Sequence, residues 1–164
     1  MTARTRTRFI GASVKIPMSA GRPFHDTLVA MELDPRGVRF GATIGSIMFA
    51  VVLITGWAWP AVFQAVVFAL TALSPGNGPY SHVFRKVLLP RLGPPAELEP
   101  AAPVRFAQTL GFAFAAVSAA GFFTDIPALG IIAAALGLMA SFLNAAFGYC
   151  LGCTMYLLTR RLTT

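Results

Sequence analysis

Charged residues are scarce in this chain of 164 residues. Only 12% are Asp, Glu, Lys or Arg, whereas a soluble domain usually carries about a quarter. Hydrophobic residues make up 56% of the chain, and the mean hydropathy is +0.70. This composition excludes an ordinary soluble domain and predicts a single integral membrane domain of the all-α class.

Cysteine is equally scarce, since the chain has only Cys150 and Cys153. Two cysteines cannot form the disulfide framework of a small secreted domain. The apolar segments contain no carboxylate, which argues against a proton-relay transporter. No glycine-rich phosphate loop follows a strand, and no Ser-His-Asp set is recognisable, so the sequence predicts no nucleotide-dependent or triad chemistry and no cofactor.

The net charge of +7 is concentrated outside the apolar segments. The basic residues cluster at segment ends without interleaved aromatics, so the expected partner is a lipid bilayer and not nucleic acid. Residues 1–33 are basic and lack the apolar core, roughly 7–15 residues long, of a signal peptide. We expect them to form a disordered cytosolic arm before a membrane domain at residues 34–164.

Four apolar segments predict four transmembrane helices, at about 38–57, 60–74, 104–123 and 127–158. The stretch from Asp34 to Gly37 resembles a turn before the first of them. Alternation of apolar and basic side chains over 80–92 predicts a short amphipathic helix at the membrane interface. The proline-rich connector at 93–103 is expected to interrupt helices and strands alike.

The charge distribution predicts the topology. The turns at 56–60 and 124–127 carry no Lys or Arg, and all thirteen basic residues lie on the other side. The positive-inside rule therefore predicts cytoplasmic N- and C-termini in a multi-pass protein of the inner (plasma) membrane. Residues 38–45 echo residues 104–111, which suggests two helical hairpins forming a parallel internal repeat. The alternative is chance similarity between apolar segments.

The cysteine pair lies in the last apolar segment. A continuous helix over 127–158 would be ~48 Å long, against a hydrocarbon core of ~30 Å. The helix therefore either protrudes into the cytosol or breaks near Asn144 to Gly148. A break would put Cys150 at a helix N-terminus, where amide groups and the helix dipole lower a thiol pKa.

Two other roles for the cysteines stay open. They can simply pack, as small apolar side chains do. They can also bind metal, but two thiolates make half of a tetrahedral site, so we predict no metal. The residues expected to support the pair are Asn144, Gly148, Tyr149, Gly152, Arg39, Arg105, Gln108 and His82.

Four stretches carry a family resemblance: Asp34-Pro-Arg-Gly-Val-Arg-Phe40, Leu89-Pro-Arg-Leu-Gly-Pro-Pro-Ala-Glu-Leu-Glu99, Arg105-Phe-Ala-Gln108 and Phe142-Leu-Asn-Ala-Ala-Phe-Gly-Tyr-Cys-Leu-Gly-Cys153. Together they resemble an uncharacterised family of small bacterial inner-membrane proteins with four helices. The resemblance implies occurrence beside thioredoxin-like or rhodanese-type sulfur-handling proteins, with no assigned activity. The basic arm and the longer loop at 74–79 depart from the family pattern.

The favoured hypothesis is a membrane-bound dithiol that exchanges electrons or sulfane sulfur with a cytosolic thioredoxin-like or sulfurtransferase (rhodanese-like) partner. Cys150 would attack, and Cys153 would resolve the mixed disulfide or persulfide. The alternative is a scaffold protein or a small channel-like assembly whose cysteines only pack. Whether the chain is an enzyme, and its oligomeric state, are left open by the sequence.

Overall fold

The structure is a computed structural model that describes residues 32–93, 95 and 97–162. The described chain is mostly helical, in agreement with the composition. Most of the predicted basic arm, residues 1–31, lies outside the described residues. The helices are α1 (Pro35–Thr55), α2 (Ala58–Leu73), α3 (Pro79–Val87), α4 (Leu89–Leu92), α5 (Ala101–Phe123), α6 (Pro127–Phe147) and α7 (Leu151–Leu162), with a 3-10 turn at Pro75–Asn77.

A short antiparallel ladder is the exception to the all-α prediction. Strand β1 (Glu32–Leu33) pairs with strand β2 (Glu99–Pro100), with Glu32 opposite Pro100 and Leu33 opposite Glu99. The last two residues of the predicted arm, 32 and 33, therefore pair with two residues of the predicted connector, 99 and 100. Proline is compatible with this position because the ladder has only two strands and Pro100 lies on an edge.

Three helices are long and apolar enough to cross a membrane: α1 with 21 residues, α5 with 23 and α6 with 21. Helix α2 is apolar but has 16 residues. At 1.5 Å per residue it is ~24 Å long, shorter than a hydrocarbon core of ~30 Å. By length and composition the chain is a membrane protein, and a fourth crossing stays a prediction.

Helix α1 begins earlier than predicted because Asp34 caps it. The Oδ1 atom of Asp34 accepts a hydrogen bond from the Arg36 amide at 2.9 Å, and Pro35 occupies the first helical position. An acidic cap followed by proline is a common helix start. The turn predicted at 34–37 is present as the cap and first turn of α1, where the Gly37 amide donates to the Asp34 carbonyl at 3.0 Å.

Two other predicted boundaries fail for reasons of proline chemistry. Helix α5 begins at Ala101 and not at 104, because Pro103 falls in the first turn, where a missing N–H breaks no helical bond. The interfacial helix predicted at 80–92 is divided at Leu88. Pro90 cannot donate the hydrogen bond that would continue α3, so a separate helix follows.

The helices pack mainly across the two predicted hairpins. Helix α1 packs on α6, α2 packs on α5, α5 also packs on α6, and α7 packs on α5. The Trp59 and Phe123 rings meet edge to face with centroids 5.7 Å apart, which brings both hairpin turns to one end of the bundle. Phe49 and Val52 are fully buried at the centre with alanines from α2, α5 and α6.

One buried polar contact attaches α3 to the bundle. Gln64 of α2 is fully buried, and the Tyr80 hydroxyl of α3 donates to its Oε1 atom at 2.8 Å. The Gln64 Nε2 atom has no partner among the described residues. Burial raises the pKa of Tyr80 to about 12, although the bond to Gln64 opposes that rise. The phenol therefore remains a hydrogen-bond donor throughout the physiological pH range.

This contact predicts a loss of stability at high pH. The folded-state pKa of about 12 exceeds the ordinary value of 10.0, so the folded protein holds the phenolic proton more tightly. The resulting stabilisation is present below pH 10 and is lost as pH rises from 10 to 12. In Tyr80→Phe we expect a lower unfolding temperature at neutral pH. We also expect that temperature to fall less steeply with pH above pH 10, as measured by thermal unfolding in lipid nanodiscs. Tyr149→Phe, at an exposed position, is the control, and equal pH dependence in both variants would contradict the assignment.

Candidate thiol site at the helix break

The last apolar segment breaks at Gly148. Helix α6 ends at Phe147, and Gly148 follows with φ 68°, a left-handed conformation that favours glycine. The Gly148 amide donates to the Asn144 carbonyl at 3.0 Å, and the Tyr149 amide donates to the Leu143 carbonyl at 3.3 Å. These two bonds satisfy carbonyls at the helix end. The sequence left open whether this helix protrudes into the cytosol or breaks, and the structure has the break. The single helix predicted at 127–158 is therefore two helices.

Cys150 lies immediately before α7, in the capping position. Its Sγ atom accepts a hydrogen bond from the Cys153 amide at 3.2 Å, and its carbonyl accepts from the Thr154 amide at 3.0 Å. A side chain that accepts from the third residue of a helix is acting as an N-cap. The unsatisfied amides and the dipole of α7 therefore favour negative charge on the Cys150 sulfur.

The sulfurs of Cys150 and Cys153 lie at disulfide distance, with their Cα atoms 5.2 Å apart. Disulfides usually span roughly 4.4–6.8 Å between Cα atoms, so the backbone accommodates the bond. Two cysteines at this spacing within a regular helix have Cβ atoms that are poorly oriented for an unstrained disulfide. The break removes that problem because only Cys153 belongs to the helix. Both residues are half-buried, so the pair is partly accessible.

Arg39 of α1 reaches this break from a distant part of the sequence. Its Nη2 atom donates to the Ala145 carbonyl at 3.4 Å, and its guanidinium carbon lies 3.8 Å from where a Cβ on Gly148 would stand. A cation at the C-terminal end of a helix interacts favourably with the helix dipole. Arg39 therefore supports the end of α6 and adds positive charge near the thiol pair.

A cavity of about 60 Å³ extends from Cys150 into the bundle between α1, α2, α5 and α6. Its wall is mostly apolar, and its polar side chains are those of Gln108, Ser141 and Asn144. Such a volume holds a few molecules the size of water. Cys150 lines this cavity and Cys153 does not, so the two cysteines differ in their relation to the bundle interior.

Close packing of α7 on α5 fixes the site. A Cβ added to Gly152 would stand 2.7 Å from the Cα and Cβ atoms of Ala107, which is closer than real atoms come. The Phe106 and Tyr156 rings lie beside this contact with centroids 5.8 Å apart. Gly152 thus permits the close approach that places Cys150 against the cavity.

The structure brings most of the predicted supporting residues to the site. Around the cysteine pair lie Gly148 and Tyr149 at the break, Gly152 against α5, Asn144 and Gln108 on the cavity wall, and Arg39 at the end of α6. Arg105 belongs to the first turns of α5 and is not on the cavity wall. His82 is exposed on α3 and is not on that wall either. Among the described residues, no group of three or more His, Cys, Asp or Glu side chains could hold a metal ion.

Sequence reasoning missed Ser141, whose hydroxyl lines the cavity. A signal was present, since Gly137, Ser141 and Asn144 recur at helical spacing and share one face of α6. It also missed Ala42 and Phe68, which complete the wall from α1 and α2. Nothing local distinguishes these two from other apolar residues in their helices.

Comparison with families of known proteins gives a match over most of the chain. A family model described as Domain of unknown function (DUF4395) matches residues 33–161. A search of the curated proteins and a search of the solved structures found no match. The match agrees with the resemblance to an uncharacterised family, whereas the individual motifs and a bacterial source stay predictions.

Replacement of Gly148 tests the break. Gly148→Ala forces a side chain into a left-handed conformation at a cost of about 1–2 kcal/mol, and we expect it to weaken formation of the Cys150–Cys153 disulfide. Gly148→Asn is the matched control, because asparagine tolerates that conformation better than alanine. The oxidised fraction of each variant at equilibrium in a fixed glutathione buffer measures the effect. The same oxidised fraction in both variants and the wild type would show that the left-handed residue is not needed.

Proposed function

The chain belongs to the family described as Domain of unknown function (DUF4395), and from that premise we propose that it is a membrane-embedded dithiol that exchanges disulfides or sulfane sulfur. The observation that carries the proposal is the capping position of Cys150, whose Sγ accepts the Cys153 amide at 3.2 Å. A packing cysteine needs no such position. A reactive thiol does, because the helix N-terminus favours the thiolate.

The exchange divides two roles between the cysteines. In the reduced protein, the Cys150 thiolate attacks a disulfide of the partner, forms a mixed disulfide and expels one partner thiolate. The Cys153 thiol then loses its proton and attacks the Cys150 sulfur. The internal disulfide forms, and the second partner sulfur leaves as a thiolate. With a persulfide partner, Cys150 takes up the terminal sulfur instead, and the partner leaves as a thiol.

We further propose that α1, α2, α5 and α6 all cross the membrane as two hairpins related as a parallel repeat. In such a repeat α1 corresponds to α5, and α2 corresponds to α6. The packing supports this arrangement, because a twofold axis then relates the contact of α1 with α6 to the contact of α5 with α2. The short α2 can cross if the bilayer thins locally or its aromatic ends anchor at the interface. Trp57 and Trp59, both exposed beside the first hairpin turn, suit such anchoring.

The site is proposed to face the cytoplasm, at the inner membrane of a bacterial cell. The basic residues of the described chain belong to the first turns of α1 and α5, to α3 and α4, and to the end of α7, and none belongs to a hairpin turn. Positive charge is retained on the cytoplasmic side. The partner is proposed to be a cytosolic thioredoxin-like or rhodanese-like protein with an acidic surface, which Arg39 and Arg160–Arg161 would attract.

Trapping tests the exchange. In Cys153→Ser the resolving thiol is missing, so we expect a mixed disulfide to accumulate between Cys150 and an added thioredoxin-like protein in its disulfide form. Cys150→Ser is the matched control and should accumulate much less. Non-reducing electrophoresis of protein in nanodiscs, with mass spectrometry of the adduct, measures both at equal protein amounts. Absence of an adduct from both variants would favour the scaffold alternative, in which the cysteines only pack.

Labelling tests the orientation. On a background of Cys150→Ser and Cys153→Ser, single probes are placed at Trp57→Cys in the first hairpin turn and at Leu162→Cys after the basic pair. We expect a membrane-impermeant maleimide to label the first probe in intact cells and the second only after the cells are permeabilised. External labelling at Leu162→Cys would invert the topology and exclude a cytosolic partner.

A further inference from the structure

We propose that the cavity behind Cys150 binds hydrogen sulfide and presents it to the disulfide from inside the bundle. This inference rests on the proposed function, because it requires a Cys150–Cys153 pair that reacts. It adds a substrate class and a second route to the pair, separate from the cytoplasmic face where a protein partner would dock.

The position of the cavity defines the chemistry of its ligand. Cys150 lines the wall, whereas Cys153 does not. A ligand in the cavity is therefore adjacent to Cys150, and thiol-type nucleophiles react with a disulfide sulfur under mild conditions. Access selects Cys150 as the point of attack, because a nucleophile in the cavity is beside Cys150 and not beside Cys153.

The size and polarity of the wall define the ligand further. A volume of about 60 Å³ holds a small molecule and is too small for a whole tripeptide thiol. No charged side chain of the described residues lines the cavity, so an ionised ligand would lose its hydration without compensation. Three uncharged groups, on Gln108, Ser141 and Asn144, remain to orient a small molecule. Hydrogen sulfide is the smallest neutral molecule of the thiol class and meets these conditions, and it becomes the nucleophile hydrosulfide when it loses one proton.

The reaction balances without another reagent. The sulfide electron pair forms a bond to the Cys150 sulfur, and the bond between the Cys150 and Cys153 sulfurs breaks. Its electron pair leaves with Cys153, which takes one of the two sulfide protons and becomes a thiol. The other proton stays on the terminal sulfur of a Cys150 persulfide. The sulfide sulfur is oxidised, and the disulfide is reduced.

A cavity-filling variant tests the route. Oxidised full-length protein in lipid nanodiscs is treated with sodium sulfide under anaerobic conditions, and the Cys150 persulfide is followed by mass spectrometry. Ala42→Leu adds three carbons at the cavity wall, and in a close-packed interior we expect it to slow persulfide formation by about tenfold or more. Ala113→Leu, the same change at an exposed position of α5, should leave the rate unchanged. Reduction by a bulky charged phosphine, which cannot enter the cavity, should be equally fast in all three proteins.

The outcomes separate the two proposals. A sulfide rate in Ala42→Leu equal to that of the wild type, or no persulfide in the wild type, would overturn the cavity inference and leave exchange with a protein partner standing. Selective slowing in Ala42→Leu without any trapped protein adduct would support the cavity and reject the protein partner. Ser141→Val, a smaller increase in volume, decides the matter if Ala42→Leu does not fold. Slowing of sulfide and phosphine alike in that variant would count against the cavity.

Discussion

The thickness of a bilayer is the constraint on which this structure depends. The apolar run at residues 127–158 is too long for one crossing, and a backbone in hydrocarbon must form its hydrogen bonds internally. The helix can therefore end only where its last carbonyls find other donors. Gly148 meets that condition, since its left-handed conformation directs two amides back to α6. The start of α7, and with it the capping position of Cys150, follows from this ending.

The break also brings two opposite helix ends together. The C-terminal end of α6 carries partial negative charge and receives Arg39, while the N-terminal end of α7 carries partial positive charge and receives the Cys150 sulfur. Arg39 carries the charge that the end of α6 favours, and the Cys150 sulfur accepts a hydrogen bond at the start of α7. A thiol whose reactivity depends on its ionised form thus gains a stabilising environment from backbone geometry, without a buried ion pair.

Most of the scaffold could be predicted from the sequence, because apolar length and charge placement are strong signals in membrane proteins. The cysteine pair and the residues of its own segment, such as Gly148 and Gly152, could be predicted for the same reason: they are close in sequence. Helix starts were less predictable, since Asp34 can begin a turn or cap a helix with the same side chain. The short ladder of β1 and β2 joins residues more than sixty positions apart, and no local pattern indicates it. The residues of the cavity wall could not be predicted either, because Ala42 and Phe68 come to line the cavity only through tertiary packing.

Helices α1 and α2, in the first half of the chain, contribute to this site. The chain therefore cannot be divided between its two halves without changing the site. A fragment that begins at α5 would keep both sulfurs and the break. It would lose Arg39 from the end of α6, and it would lose the two walls that α1 and α2 supply to the cavity. The cysteine pair thus belongs to one half of the chain, and part of its surroundings belongs to the other. The complete site therefore requires the whole bundle, whether the protein is shortened or the site is transferred to another chain.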